Sequence, residues 1–259
     1  MLVAMPLMDL PDPEKLPQRV LDLAEQLALV FSVAHPSEAM KRVEVWLQGH
    51  PVARDDPAPF ARESLTHPLS SFVVGAVTEI PVHEKTSTEL RALRDGPIPR
   101  LNPGECFSVE HLESYILAIQ CHLCPERQGY RSGQVQSRAD ARSVSVKYPD
   151  PKEITGRMRA ICQYWCVYHR KHPGLAATVL MLALMNLHPF DDGNGRAARA
   201  MFHWSLNTDV RGSLYLPLHE LSALSRCGYL IRLRQAQYHG ELEPILSYLL
   251  MCARGFVLP

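Results

Sequence analysis

The chain has 259 residues, 46% hydrophobic and 21% charged, enough to bury one large core or two smaller ones. Lys and Arg (27) balance Asp and Glu (27), so no global basic field points to nucleic acid as a partner. No apolar run reaches the ~18–20 residues of a membrane span, and Met1–Met8 lacks the basic start of a signal peptide, which leads us to expect synthesis in the cytoplasm and no membrane partner. Delivery into a host cell without a cleavable signal stays compatible with this composition.

From the N-terminus, Leu16, Val20, Leu21, Leu23, Ala24, Leu27 and Ala28 recur at helical offsets, predicting an amphipathic helix within Pro13 to Val33. Ser37 to Gly49 reads as a second helix, with Ser37 as cap and Gly49 as stop. Pro51 to Pro68 reads as linker or exposed loop, and Leu101 to Cys121 resumes a helical pattern. Residues 1–104 read as an N-terminal helical region, either scaffold or a target-recruiting surface; residues 105–259 form the core to which the resemblance described below applies. Cys121, Cys124, Cys162 and Cys166 are spaced loosely like zinc ligands, but both pairs sit in helical composition, where buried free cysteine is common. The seven cysteines, an odd number, argue against a complete disulfide framework.

The most informative stretch is His188-Pro-Phe-Asp-Asp-Gly-Asn-Gly-Arg-Ala-Ala-Arg199. Gly174 to Leu187 before it is rich in Ala, Leu and Met and reads as a buried helix. Pro189 disfavours helical geometry at His188, so this helix should stop near Leu187. Gly193, Asn194 and Gly195 tolerate positive φ and can turn successive N–H groups inward as an anion-binding nest. Helical composition resumes from Arg196 to Leu206, which places the nest at a helix N-terminus, where free N–H groups favour phosphate. Arg196 and Arg199, three apart, project from one face of the first turn. His188 is a candidate general base and Asp192 a candidate ligand for a hard cation.

Two other phosphate signatures fail. Gly193-Asn-Gly195-Arg-Ala-Ala198 formally matches a dinucleotide fingerprint, but that motif needs a strand before it and an acid about twenty residues on. None of the six lysines follows a glycine, so there is no P-loop.

These residues resemble the signature loop of the Fic family. Gly129-Tyr-Arg131 with Ser143 to Pro151 resembles the flap that precedes the Fic helices, and Glu153 to Trp165 the next family helix. His172 to Ala177 resembles the start of the helix entering the loop. Tyr215 to Glu220 and Ser225 to Tyr229 resemble the return toward the nucleotide, and Tyr238 to Leu246 the final helix. The resemblance implies an all-α, Fic-type helical bundle with a small β-hairpin flap. It implies a protein adenylyltransferase that moves AMP from ATP to a Ser, Thr or Tyr hydroxyl of a target protein. His188 would act as base, Asp192 would hold Mg²⁺ or Mn²⁺, and Gly193, Asn194 and Gly195 would cradle the α- and β-phosphates. Arg196 and Arg199 would grip the β- and γ-phosphates, and Tyr229 would contact the base. Val144, Ser145 and Val146 of the flap would bind an extended target segment as an added strand. Transfer of another group (uridylyl, phosphocholine, phosphate) on the same fold, or a catalytically silent adaptor, are the competing readings; oligomerisation is left open.

Many Fic proteins are held inactive by a glutamate, within Ser/Thr-x-x-x-Glu-Gly/Asn, that pairs with the second loop arginine. None of the sixteen glutamates here has that context. Glu79 lies at a plausible position without its flanks, and Glu84 and Glu89 fit no better. Arg199 is therefore expected to be unpaired within the chain, with any restraint supplied by a separate antitoxin-like chain.

Overall fold

The computed structural model describes residues 2–33, 88–89, 92–93, 107–137, 145–206, 214–219, 221 and 228–257. The helix expected over 37–49, the linker over 51–68, residues 101–106, Glu79, Glu84 and Val144 lie outside the described residues.

Helix α1 spans Gln18–Val33, and α2 spans Val109–Leu123, capped by Ser108, whose hydroxyl accepts from His111 N at 3.2 Å. Helices α3 (Ile154–Tyr168), α4 (Pro173–Leu187), α5 (Asn194–Leu206), α6 (Gly228–His239) and α7 (Leu242–Val257) follow. Helix α4 is the axis of the bundle. Its Ala-, Leu- and Met-rich sequence is buried on every side, which only a helix wrapped by neighbours sustains. It packs against α1, α3, α5 and α6, while α7 closes over α1 and α6. At Gly174 the approach to α1 is backbone to backbone: a Cβ there would lie 1.9 Å from the Ala24 carbonyl oxygen. Helix α1 thus belongs to the same continuous core as the loop helices. No helix among the described residues is long and apolar enough to cross a membrane.

Four boundaries differ from expectation, the first being the start of α5 at Asn194 rather than Arg196, which puts Asn194 and Gly195 in its first turn. Helix α3 starts after a 3₁₀ turn at Pro151–Glu153, capped by the Asp150 carboxylate on Lys152 N, and runs on to Tyr168. The helix over residues 101–121 is observed from Val109, where Ser108 starts it. Tyr238 to Leu246 is not one helix: Gly240, at φ +70°, ends α6, its N–H bonded to Ala236 O at 3.0 Å.

The flap is more than a hairpin. Strand β2 (Ser145–Lys147) bridges antiparallel to Gln136, with Ser137 N donating to Val146 O at 2.8 Å and Tyr148 N to Val135 O at 3.1 Å. Its other side pairs in parallel with β1 (Leu2–Ala4), in register Leu2–Ser145, Val3–Val146, Ala4–Lys147. A three-residue strand with no apolar alternation carries no sequence signal, so β1 was not expected.

Candidate active site

Helix α4 ends where Pro189 requires, and His188 closes it in the left-handed region at φ 51°. Among the described residues it is the one non-glycine with positive φ, a conformation that surrounding contacts must hold. Arg131 supplies them. It is buried, and its guanidinium donates to His188 O (2.7 Å), Pro149 O (2.6 Å) and Gly133 O (2.8 Å), while its own N–H donates to Pro189 O at 3.0 Å. Tyr148, one residue past β2, stacks on the imidazole with ring centres 3.8 Å apart. His188 Nδ1 is buried, and the residue lines the adjoining cavity. Burial pushes this histidine down to about 4, so the ring is neutral at physiological pH.

The loop after it is clasped by Asn194. Its carboxamide accepts from Phe190 N at 2.9 Å and donates to Phe190 O at 2.8 Å. Phe190 itself is buried and stacks with Tyr130. The Asn194 side chain is therefore committed to holding the turn, and only its N–H is left to face an anion. Gly193 has φ +80°, and a Cβ on it would meet Cys124 Sγ at 2.7 Å, so this position needs glycine twice over. Asp192 accepts from Gly193 N through Oδ1 at 2.6 Å; its side chain is 65% exposed.

Arg196 is positioned by the end of α2: it donates to Leu123 O at 3.1 Å and to Cys124 Sγ at 2.9 Å, with Asp192 Oδ2 at 3.4 Å. Burial raises the Cys124 thiol, which keeps it protonated. None of the described residues forms a cluster of three metal-ligating side chains, and the four cysteines once grouped by spacing do not converge on one. A cavity of about 360 Å³ is lined by His188, Asp191, Asp192, Gly193, Asn194, Gly195, Arg196, Arg199 and His219. That size lies at the lower end of ligand sites. Helix, glycine turn and helix thus bring base candidate, carboxylate, N-terminal amides and two guanidinium groups to one cleft.

Arg199 is not unpaired, and the expectation that it would be is overturned. The Glu89 carboxylate, 1% exposed, accepts from Arg199 Nε at 3.1 and 3.2 Å, from Arg199 Nη2, and from the Tyr215 hydroxyl. Burial alone would pull Arg199 down; the facing carboxylate more than reverses that. His203, one turn along α5, completes the support. Its Nδ1 contacts Arg199 O at 2.7 Å, its Nε2 accepts from Leu216 N at 2.9 Å, and its ring stacks on Tyr215. Glu89 was missed because its flanks, Lys85 and Leu90, break the motif. The buried charge pair identifies it; its flanking residues do not.

The expected contact between Tyr229 and a nucleotide base is not offered by this geometry. Tyr229, the second residue of α6, is 3% exposed, and its hydroxyl donates toward Met185 Sδ (3.5 Å) and Met181 Sδ (3.7 Å). In the flap, Ser145 and Val146 are observed in β2, with Val146 N donating to Ser137 Oγ at 2.9 Å. Arg131, Tyr148, Cys124 and His219 join the site without having been singled out for it.

A left-handed histidine, a glycine turn at a helix start and two arginines in the first two turns of that helix define a helix–loop–helix of the Fic type. Residues 110–206 match the Fic/DOC family model, and this part of the chain is a Fic/DOC domain. Similar solved structures include a Fic family protein from Desulfovibrio desulfuricans (16% identity, TM-score 0.58), aligned over 96% of this chain and 75% of that one. Residues 134–508 of Fic-1 from C. elegans align at 19% identity and TM-score 0.52, over 91% of this chain and 69% of that one. At these identities the likeness shows the fold. No curated protein matches the chain.

Proposed function

We infer from the Fic/DOC match over residues 110–206 that this chain transfers a nucleotide monophosphate to proteins. We propose that this chain is a protein adenylyltransferase that moves AMP from ATP to a Ser, Thr or Tyr hydroxyl. The observation that carries the reading is the shared cleft: a neutral His188 beside the amide turn Gly193–Gly195 and the guanidinium of Arg196.

His188 Nε2 takes the proton of the incoming hydroxyl, whose oxygen attacks the α-phosphorus. The bond to the α–β bridging oxygen breaks, and pyrophosphate leaves with that electron pair. The amides of Asn194 and Gly195, in the first helical turn, meet the phosphates at the positive end of α5. Charge developing on the α-phosphate is stabilised there without reorganisation, usually the largest catalytic contribution. Arg196, fixed by Leu123 O and Cys124, grips the β-phosphate side by forked hydrogen bonds.

An exposed carboxylate at the cavity suits Mg²⁺, which binds through one or two acids plus substrate phosphates rather than an all-protein cage. Asp192 is that carboxylate; a bound Mg²⁺ or Mn²⁺ would neutralise phosphate charge. ATP ahead of other nucleotides is carried by family likeness. The γ-phosphate belongs at Arg199, and Glu89 holds that guanidinium in the resting chain. The restraint is therefore in cis, with no separate inhibitor chain required.

Intact-mass spectrometry of the Glu89→Gly protein, incubated with each of the four nucleoside triphosphates, tests the reading. Addition of AMP from ATP is expected. Addition of UMP or phosphate moves the reading to those transfers, and no addition with any nucleotide or candidate target leaves a silent adaptor.

A further inference from the structure

The β2 edge is already filled by the chain's own N-terminal strand. On one side of β2 lie Gln136 and Ser137, on the other Leu2–Ala4. Strand addition by a target needs one of these edges, and the two occupants are held unequally. In β1, Leu2 is 55% exposed, Val3 half-buried and Ala4 exposed, so pairing removes little apolar area from water. The next residues are fixed. Met5 and Met8 are buried, and Met5 N donates to Lys147 O at 2.7 Å. Asn186 clasps the segment, accepting from Met8 N at 2.9 Å and donating to Pro6 O at 3.0 Å. A clamp at Met5–Met8 therefore holds a tip that can peel.

The clamp and β2 are each connected to His188 through the chain. Asn186 lies two residues before His188, and the chain leaving β2 stacks Tyr148 on the His188 ring. The composition of the tip matters equally. No Ser, Thr or Tyr occurs before Ser32, so a strand drawn from Leu2–Ala4 presents no hydroxyl to the base.

We propose that Leu2–Ala4 is a hydroxyl-free stand-in for the target, seated on the β2 edge, and that an extended segment bearing Ser, Thr or Tyr replaces it. This rests on the reading of the cleft as a site of transfer to protein hydroxyls. Main-chain pairing supplies the affinity of such an added strand and alternate side chains its selectivity. The cost of admitting a target is then only the loss of a short exposed ladder, because Met5–Met8 keeps the rest of the segment docked.

Two measurements test it. Backbone hydrogen exchange on the unmodified chain should show the amides of residues 2–4 opening at least about tenfold faster than that of Met8. Equal protection along residues 2–8 overturns the proposal. Second, removal of residues 1–4, or Val3→Pro in the full-length chain, should raise self-modification with ATP about tenfold when combined with Glu89→Gly, as expected when a competing occupant is withdrawn. ATP affinity by calorimetry should not change. Unchanged or reduced self-modification, with Met8 still protected, refutes the displaced-strand assignment. If Glu89→Gly transfers nothing with any nucleotide, the transfer reading has failed instead, and the exchange pattern alone then judges the strand.

Discussion

Glu89 and Arg199, 110 positions apart in sequence, form a buried ion pair in which one carboxylate engages two guanidinium nitrogens and a tyrosine hydroxyl. Arg199 of this pair also lines the cavity. Under the proposed function Glu89 occupies the donors that a γ-phosphate would use, so the resting chain is expected to be slow.

Glu89→Gly should release Arg199, raise self-modification with ATP by tenfold or more, and change stability in a nucleotide-dependent way. Removing one partner of a buried pair leaves an uncompensated charge, at a cost of about 3–5 kcal/mol. ATP supplies a replacement anion, so the melting temperature of this variant should rise further on adding ATP than that of the parent. A scan with and without ATP checks it; an equal response in the two proteins would show that Arg199 does not meet the nucleotide.

His188→Ala, made in the Glu89→Gly background, should lower transfer by roughly 10²–10⁴-fold, the usual contribution of a general base. ATP affinity should stay within a few-fold, because the amides and arginines that hold phosphate are untouched. Calorimetry and rate measurement together decide it: near-normal turnover rules His188 out as the base.

Asp191 and Asp192 both line the cavity, yet they are not equivalent. Asp192 is tied to Gly193 N and faces Arg196, whereas no described hydrogen bond places Asp191 on the turn. Asp192→Ala should raise the Mg²⁺ concentration giving half-maximal rate and lower that rate; Asp191→Ala should leave both within about twofold. A metal titration of both variants is the measurement, and equal losses contradict the division of roles.

Much of this site was legible because local rules and tertiary needs coincide in it. Pro189 ends α4 and Gly193 turns the loop, each for reasons contained within a few residues, whereas α5 begins at Asn194, two residues before its helical composition does. Helices α4 and α5 follow from composition alone. What could not be read depends on partners far apart in sequence. Arg131 and Tyr148 act on His188 across the fold, β1 meets β2 over more than 140 residues, and Glu89 reaches Arg199 without a motif. Tyr229 shows the converse: a loose likeness put at the base a ring that packing has sealed behind two methionines.

The pH dependence of transfer follows from the sealing of His188. A base must be neutral to accept a proton, and burial under Tyr148 has pushed this ring down to about 4, from an ordinary value near 6.5. The neutral form therefore predominates down to about pH 5, below the range where an ordinary histidine is already protonated. Between pH 7.5 and 5.5 the rate at low substrate in the Glu89→Gly background should be nearly flat, where an unshifted histidine would lose roughly tenfold. Tyr148→Ala admits water to the ring, so its value should rise toward 6.5 and the acid limb should return. Tyr148→Phe keeps the stacking and should keep the flat profile. Rate profiles of the three proteins decide the point: an acid limb near 6.5 in the parent would show that His188 is not buried when it acts, and matching profiles for Tyr148→Ala and Tyr148→Phe would show that the stacked ring does not set its titration.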